Sequence, residues 1–428
     1  MSLSKQSSYY WQRRKVIKHV IKNWLIWALH KPRLSHGKPG DTTVIFVRLN
    51  ARARIFNLGY ILRQHEGIRT ILLTQVFDYK FHHEAFDEIY PFFNYNDLKN
   101  KVTKLARRYD ILAVIGSAQP AMQTRVLLEM PRSWPVLIDQ YDSYWSKYYF
   151  SGENLGHIKR DHAAYTFEEV TEEKYCYQKA DGIIVRSGDL VVLINEHGIK
   201  TPYLLLEDGC NTHFFQSMMP QNGPKGTEWS IVYPGITAPM SADSQMEGDI
   251  QLVPLGKSFA NEKIHFHIYP SPHHNYQYPE YKAEMSRNPF FHIHESVGFS
   301  EIHQEIVKYD FGWHANQYTK HEHFSDVIGQ HALGIKFFTF LESGLPIIVN
   351  KVLARGERMV REMNTGIVVD NDAPKGLREV IEKKNVAELI QGVDRARNEL
   401  SVNNKSKELL DFIVDVRSRY DHTHQSKG

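Results

Sequence analysis

The chain has 428 residues, of which 42% are hydrophobic and 24% charged, and its formal net charge is +3. That length supports two cores, and the near-neutral balance excludes a chain organised around nucleic acid. Two cysteines, Cys176 and Cys210, exclude a disulfide framework and a cysteine metal quartet, and they fit a reducing compartment. No apolar run approaches the ~20 residues of a membrane span. No cleavable leader is expected either, because the first apolar residues are interleaved with Lys and Arg.

Residues 1–40 contain no Asp or Glu but include Arg13, Arg14, Lys15, Lys18, Lys22, Lys31 and Arg33. At helical spacing, Val16, Ile17, Val20, Ile21, Trp24, Trp27 and Ala28 share one face, opposite Arg14, Lys15, Lys18 and Lys22. Pro32 ends this helix. Such a helix, over residues 9–33, either lies on an anionic membrane or packs on the body of the protein with its cations solvated.

Residues 42–49 (TTVIFVRL) read as a strand buried on both faces, followed by a helix and a second strand at 68–75, a βαβ opening that implies a parallel sheet. The loop after the first strand lies where open α/β sheets bind ligands, but it lacks the GxGxxG fingerprint. It offers Arg48, Asn50, Arg52 and Arg54, which either meet an anionic acceptor or lie on the surface. Strands follow at 109–117 and 134–140. After the second comes DQYDSYWSKYY, with Asp139 and Asp142 among aromatic residues. One reading is an acceptor site in which sugar rings stack and a carboxylate takes a hydroxyl proton. The other is that Asp139 or Asp142 caps the next helix.

A helix over 168–180 carries acids early and Lys179 late, matching its dipole. Strands follow at 181–187 and 201–206. The second half repeats the pattern, with strands at 230–233, 264–269 and 290–294 and a helix at 302–309. Residues 334–350 (GIKFFTFLESGLPIIVN) then predict a helix, a tight turn at Gly344, Leu345 and Pro346, and a buried strand. A strand at 365–370 and a helical tail close the chain.

These segments, in this order, resemble the GT-B glycosyltransferases of the retaining, family 4-like (group 1) type. KADGIIVRS at 179–187 and LLEDGCNTHFF at 205–215 are similar to the segments that close the N-terminal domain of that family. Residues 334–350 are similar to its helix–Gly–x–Pro–strand signature. The resemblance implies two doubly wound Rossmann-like α/β domains facing across a cleft. The boundaries are an N-terminal helix at 1–40, an acceptor domain at 41–215, a nucleotide-sugar domain at 216–385 and a helical tail at 386–428 that includes a crossing back to the first domain. It further implies transfer of a sugar from a nucleotide-sugar to a glycan or lipid-linked acceptor in polysaccharide assembly. The expected chemistry is retaining and metal-independent, without a cofactor, in the cytoplasm or on the inner membrane face. Asp139 and Asp142 are the catalytic candidates, and Arg48, Asn50 and Arg52 the acceptor-binding ones. Gly235, His331, Lys336, Thr339 and Glu342 are the donor-binding ones.

The chain departs from the family pattern at the acidic pair eight residues apart. Counting back from Gly344, those positions hold His331 and Thr339. Glu342 lies three residues past Thr339, roughly 300° further round a helix. No Arg–Lys pair follows Gly235, and Arg355, Arg358 or helix N-termini are the stand-ins for neutralising a leaving diphosphate. A catalytically inactive binding subunit of a glycan assembly complex is therefore the alternative, with an epimerase of the same fold behind it. Histidine is abundant, at 23 residues. IHFHIY and FHIHES each put two histidines on one strand face, but the spacing matches no zinc signature and no metal site is expected. Tyr269, His273 and Tyr276 are candidates for stacking on a base or sugar.

Overall fold

The computed structural model describes residues 41–51, 53–76, 79–141, 143–150, 160–216, 228–237, 251–271, 279–315, 330–331, 333–370 and 375–425. The expected basic amphipathic N-terminal helix, Arg52, Asp142, His273 and Tyr276 lie outside them. No described helix is long and apolar enough to cross a membrane.

β1 (Thr42–Asn50) is the centre of the first unit. Its residues Val44, Ile45, Phe46 and Val47 are fully buried, as a strand covered on both faces requires. β2 (Ile68–Val76) and β4 (Asp110–Ser117) flank it in parallel. With β3 (Glu88–Pro91), β5 (Val136–Gln140), β6 (Gly182–Val185) and β7 (Tyr203–Leu205) the sheet runs β3-β2-β1-β4-β5-β6-β7, parallel throughout. The strand order reverses direction between β1 and β4, and the C-terminal ends of strands at such a switch point are where open α/β sheets bind ligands.

The second unit, Asp208–Asn404, holds β8 (Ser230–Gly235), β9 (His265–Pro270), β10 (Phe291–Ile293), β11 (Phe311–Trp313), β12 (Ile347–Asn350) and β13 (Gly366–Val369). Their order is β10-β9-β8-β11-β12-β13, again all parallel, with the switch point between β8 and β11. The doubly wound α/β class is thus present twice.

The helix Ile335–Glu342 enters β12 through the turn that the sequence announces. Gly344 has φ +72°, a conformation that costs a side chain strain and glycine none. Gly344 N–H donates to Leu341 O at 2.9 Å and Leu345 N–H to Phe340 O at 2.9 Å, the paired bonds of a Schellman motif. Phe340 then lies flat against β11, because Gly312 has no side chain. A Cβ there would come within 2.3 Å of the Phe340 ring.

The boundaries differ from those expected. Residues 208–215 belong to the second unit. Cys210 exchanges backbone bonds with Leu400 and Val402, at 3.0 and 2.8 Å, and Asn403 Oδ1 accepts from the Thr212 hydroxyl at 3.1 Å. The helix Val386–Glu399 also lies in the second unit. The last helix, Ser406–Gln425, packs on the first, where the Tyr420 hydroxyl donates to Arg132 O at 2.9 Å.

Candidate functional site

In the first unit Arg48, Arg54 and Asp139 have structural partners. Asp139, at the end of β5, is fully buried. Arg54 Nε donates to its Oδ1 at 2.8 Å, and Arg48 Nη1 lies 3.6 Å from its Oδ2. Arg54 also donates to Leu206 O at 3.0 Å. Arg48 and Arg54 are therefore neither surface residues nor open to an anionic acceptor. They are buried at 6% and 2% exposure around one carboxylate. A general base must come within hydrogen-bond reach of the hydroxyl it deprotonates. Asp139 is instead the counter-ion of Arg48, near the end of β1, and of Arg54, in the first turn of the helix Ala53–Arg63, which corrects its catalytic reading. Asn50, at the end of β1, is half-buried.

Of the aromatic cluster, Trp145 is internal, and Tyr141, Tyr144 and Tyr149 are half-buried. Trp145 is 2% exposed and packs edge-on against Tyr177 at 5.6 Å and at a tilt against His197 at 4.6 Å. Tyr141 lies under the guanidinium groups of Arg48 and Arg186, at 5.7 and 4.6 Å. The helix Tyr144–Phe150 is capped by Ser143, whose hydroxyl accepts from Ser146 N–H at 2.9 Å. Glu173 accepts from the backbone N–H groups of Tyr144 and Trp145, at 2.9 and 3.1 Å. Burial pushes the Glu173 carboxyl up to about 7 against the pull of these donors. Among the described residues, the capping expected of Asp139 or Asp142 thus falls to Ser143 and Glu173.

The second unit places a different set at its switch point. β8 ends at Tyr233, Pro234 and Gly235, and β11 runs directly into His314. Between them stands the N-terminus of the helix Ile335–Glu342, whose N-cap is Gly334 with no side-chain cap. The first amides of a helix lack intrahelical acceptors and favour an anion. Lys336 Nζ donates to the Tyr233 hydroxyl at 3.0 Å and sits 4.2 Å from that ring's centre. The Tyr233 hydroxyl donates to Ile236 O at 2.9 Å. His314 stands against the helix start, where a Cβ on Gly334 would lie 3.2 Å from its Cε1. Burial, and then the Lys336 ammonium, hold His314 down to about 3, so it is a neutral imidazole at pH 7. Its buried Nδ1 has no hydrogen-bond partner among the described residues.

Of the expected donor residues, Gly235 and Lys336 are at this rim, and His331 is half-buried in the turn of helix preceding it. Thr339 and Glu342 have other tasks. The Thr339 hydroxyl, 5% exposed, donates back to Ile335 O at 3.2 Å within its own helix. Glu342 is 2% exposed, accepts from Asn211 N–H at 2.7 Å and pairs with His303 Nε2 at 2.7 Å. Its Oε1 therefore anchors the segment at 208–215 and its Oε2 is taken by His303, which corrects the donor-binding reading of Glu342. His314 and Tyr233 were not among the expected donor residues. The signal that finds them is position, at the C-terminal ends of the two strands where the order reverses. Arg355 begins the helix that follows the C-terminal end of β12, on the same edge of the sheet.

No family model matches the sequence, and no curated protein compared with it matches either. Solved structures do match over most of the chain. A glycosyltransferase from Rickettsia africae ESF-5 aligns with a TM-score of 0.56 at 12% identity, over 88% of this chain and 98% of its own. HepE of Anabaena, solved in complex with UDP, aligns with 0.56 at 10%, over 87% and 100%. A sucrose-phosphate synthase from Thermosynechococcus elongatus aligns with 0.53 at 10%, over 90% and 98%. The chain has the GT-B fold of these glycosyltransferases.

Proposed function

We propose that the chain is a glycosyltransferase that takes a sugar from a nucleotide-sugar held on its second unit and passes it to a glycan or lipid-linked acceptor in polysaccharide assembly. The observation that carries this is the convergence of Lys336, His314 and the uncapped helix start at Gly334 on the β8/β11 switch point. A nucleoside diphosphate fits that place. Helix amides and the Lys336 ammonium meet its phosphates, and the neutral His314 has a ring nitrogen to spare. Negative charge builds on the leaving diphosphate as the glycosidic bond breaks, and a fixed cation there lowers the barrier without a metal ion. Retention at the anomeric carbon and acceptor binding by the first unit are the parts of this proposal that the resemblance supplies. Calorimetric titration of UDP-, GDP- and TDP-sugars into the full chain tests it. One of them binds, and Lys336→Met weakens that binding. Binding of none of the three removes the proposal.

A second reading, a binding subunit without catalysis, is favoured by one observation. The position expected to hold a ribose-binding carboxylate is Thr339, and its hydroxyl is spent on Ile335 O. The two readings separate on turnover. Release of nucleoside diphosphate in the presence of acceptor supports the enzyme, whereas binding without release supports the subunit.

Residues 9–33, basic on one face and carrying two Trp on the other, would hold the chain at an anionic membrane where a lipid-linked acceptor sits. Deleting residues 1–35 should then abolish co-sedimentation with anionic vesicles. Unchanged co-sedimentation would count against that anchor.

A further inference from the structure

One cluster of side chains in the second unit has no part in the nucleotide site. β9 and β10 pair in parallel with His267 opposite His292. His265, His267, His292 and His294 therefore stand on one face of two neighbouring strands. Their rings are stacked, His267 on His292 at 4.3 Å and 12° and His267 against His294 at 5.2 Å and 19°. His265 Nδ1 lies 2.9 Å from His292 Nε2, and His267 Nδ1 lies 3.0 Å from His294 Nε2. One ring nitrogen from each of His265, His267 and His292 falls within 4.8 Å of the other two.

We propose that His265, His267 and His292 bind a divalent transition-metal ion of the zinc class, with Glu228 orienting the first ligand. A tetrahedral zinc ion with nitrogens at 2.0–2.1 Å holds them about 3.3 Å apart. The 2.9 Å contact between His265 and His292 is already close to that spacing, and the His267 nitrogen, within 4.8 Å of both, reaches the ion by turning out of its stack on His292. His265 Nε2 lies 2.7 Å from Glu228 Oε2. With the proton on Nε2 donated to the carboxylate, Nδ1 turns a lone pair toward the shared point. This is the carboxylate–histidine–metal arrangement that fixes a ligand's tautomer and raises its basicity. All three ligands are half-buried, so an ion can reach them and still leave a position for water.

The place of the cluster argues for a structural ion. His265 is the first residue of β9, and Glu228 precedes β8, whereas the nucleotide rim is at the opposite, C-terminal ends of the strands. β10 is the edge of the sheet. An ion there ties the edge strand to β9 and to the segment entering β8. Lys308 stands beside this face. It pairs with Glu305 at 3.1 Å and lies over the rings of Tyr269 and Tyr309, at 6.0 and 5.6 Å.

The test is a titration of Zn2+ into the metal-stripped full chain against a chromophoric chelator, repeated with Co2+ for its ligand-field absorption. One site per chain with a tetrahedral Co2+ spectrum is expected, and Zn2+ should raise the melting temperature of the wild type. His267→Ala and His292→Ala should lose the site, and the exposed Glu228→Gln, which disturbs no core packing, should weaken it about 10- to 100-fold. His83→Ala, a surface histidine in the first unit, should bind as the wild type does. An affinity unchanged in both His292→Ala and Glu228→Gln, or an octahedral, water-like Co2+ spectrum, overturns the proposal.

Discussion

Lys336→Met should lower kcat/KM for sugar transfer by about 10²–10³, the loss seen when one preorganised donor to developing charge is removed. The side chain is placed rather than floating. Its ammonium is held over the Tyr233 ring and by the Tyr233 hydroxyl, and that hydroxyl is itself fixed by Ile236 O. A cation so held needs little reorganisation when charge appears beside it. Methionine keeps the stem and removes only the charge, so the fold stays intact. Tyr233→Phe is the companion variant. It frees the ammonium from its oxygen partner but keeps the ring, so a smaller loss is expected. Steady-state kinetics with the donor found by calorimetry decides between them. A Lys336→Met enzyme of wild-type kcat/KM would place the diphosphate elsewhere, and Arg355 would be the next residue to change.

The local signals in the chain were enough for much of the fold. Three consecutive apolar residues after Gly344 and Pro346 require a buried strand, and the glycine requires a left-handed turn. Both are present, down to the two Schellman bonds. The weak elements were silent for a physical reason. β3 is four residues at the sheet edge, too short to carry a pattern.

The site was less legible, because its side chains meet through topology. Arg54 and Asp139 are 85 residues apart, and nothing in DQYD or NARAR says that one neutralises the other. Glu342 was seen as a near-miss for a sugar-binding carboxylate. Its partners, His303 and Asn211, are 39 and 131 residues away. The histidine alternation in IHFHIY and FHIHES was visible, but the parallel register that sets His267 opposite His292 was not. Lys336 comes from the resemblance rather than from a local signal, and the structure puts it in the first turn of the helix Ile335–Glu342.

Asp139→Ala should destabilise the first unit by about 3–5 kcal/mol, the cost of breaking a buried ion pair by removing one partner. The carboxylate is fully buried, and both guanidinium partners are nearly so. Removing it does not simply delete one bond at 2.8 Å. It leaves the charges of Arg54 and Arg48 in a place where water cannot replace the lost oxygen atoms. The pair also ties β5 to β1 and to the helix Ala53–Arg63, so the damage spreads across the middle of the sheet. At this size the loss corresponds to roughly 6–20 °C in melting temperature. Asp139→Asn should cost less, since its amide oxygen still accepts from Arg54. A catalytic base would behave in the opposite way, with both variants folding normally and losing turnover alike. Thermal and urea unfolding of the two variants beside their transfer rates therefore separates the two roles. An Asp139→Ala protein as stable as the wild type but inactive would return this residue to the chemistry.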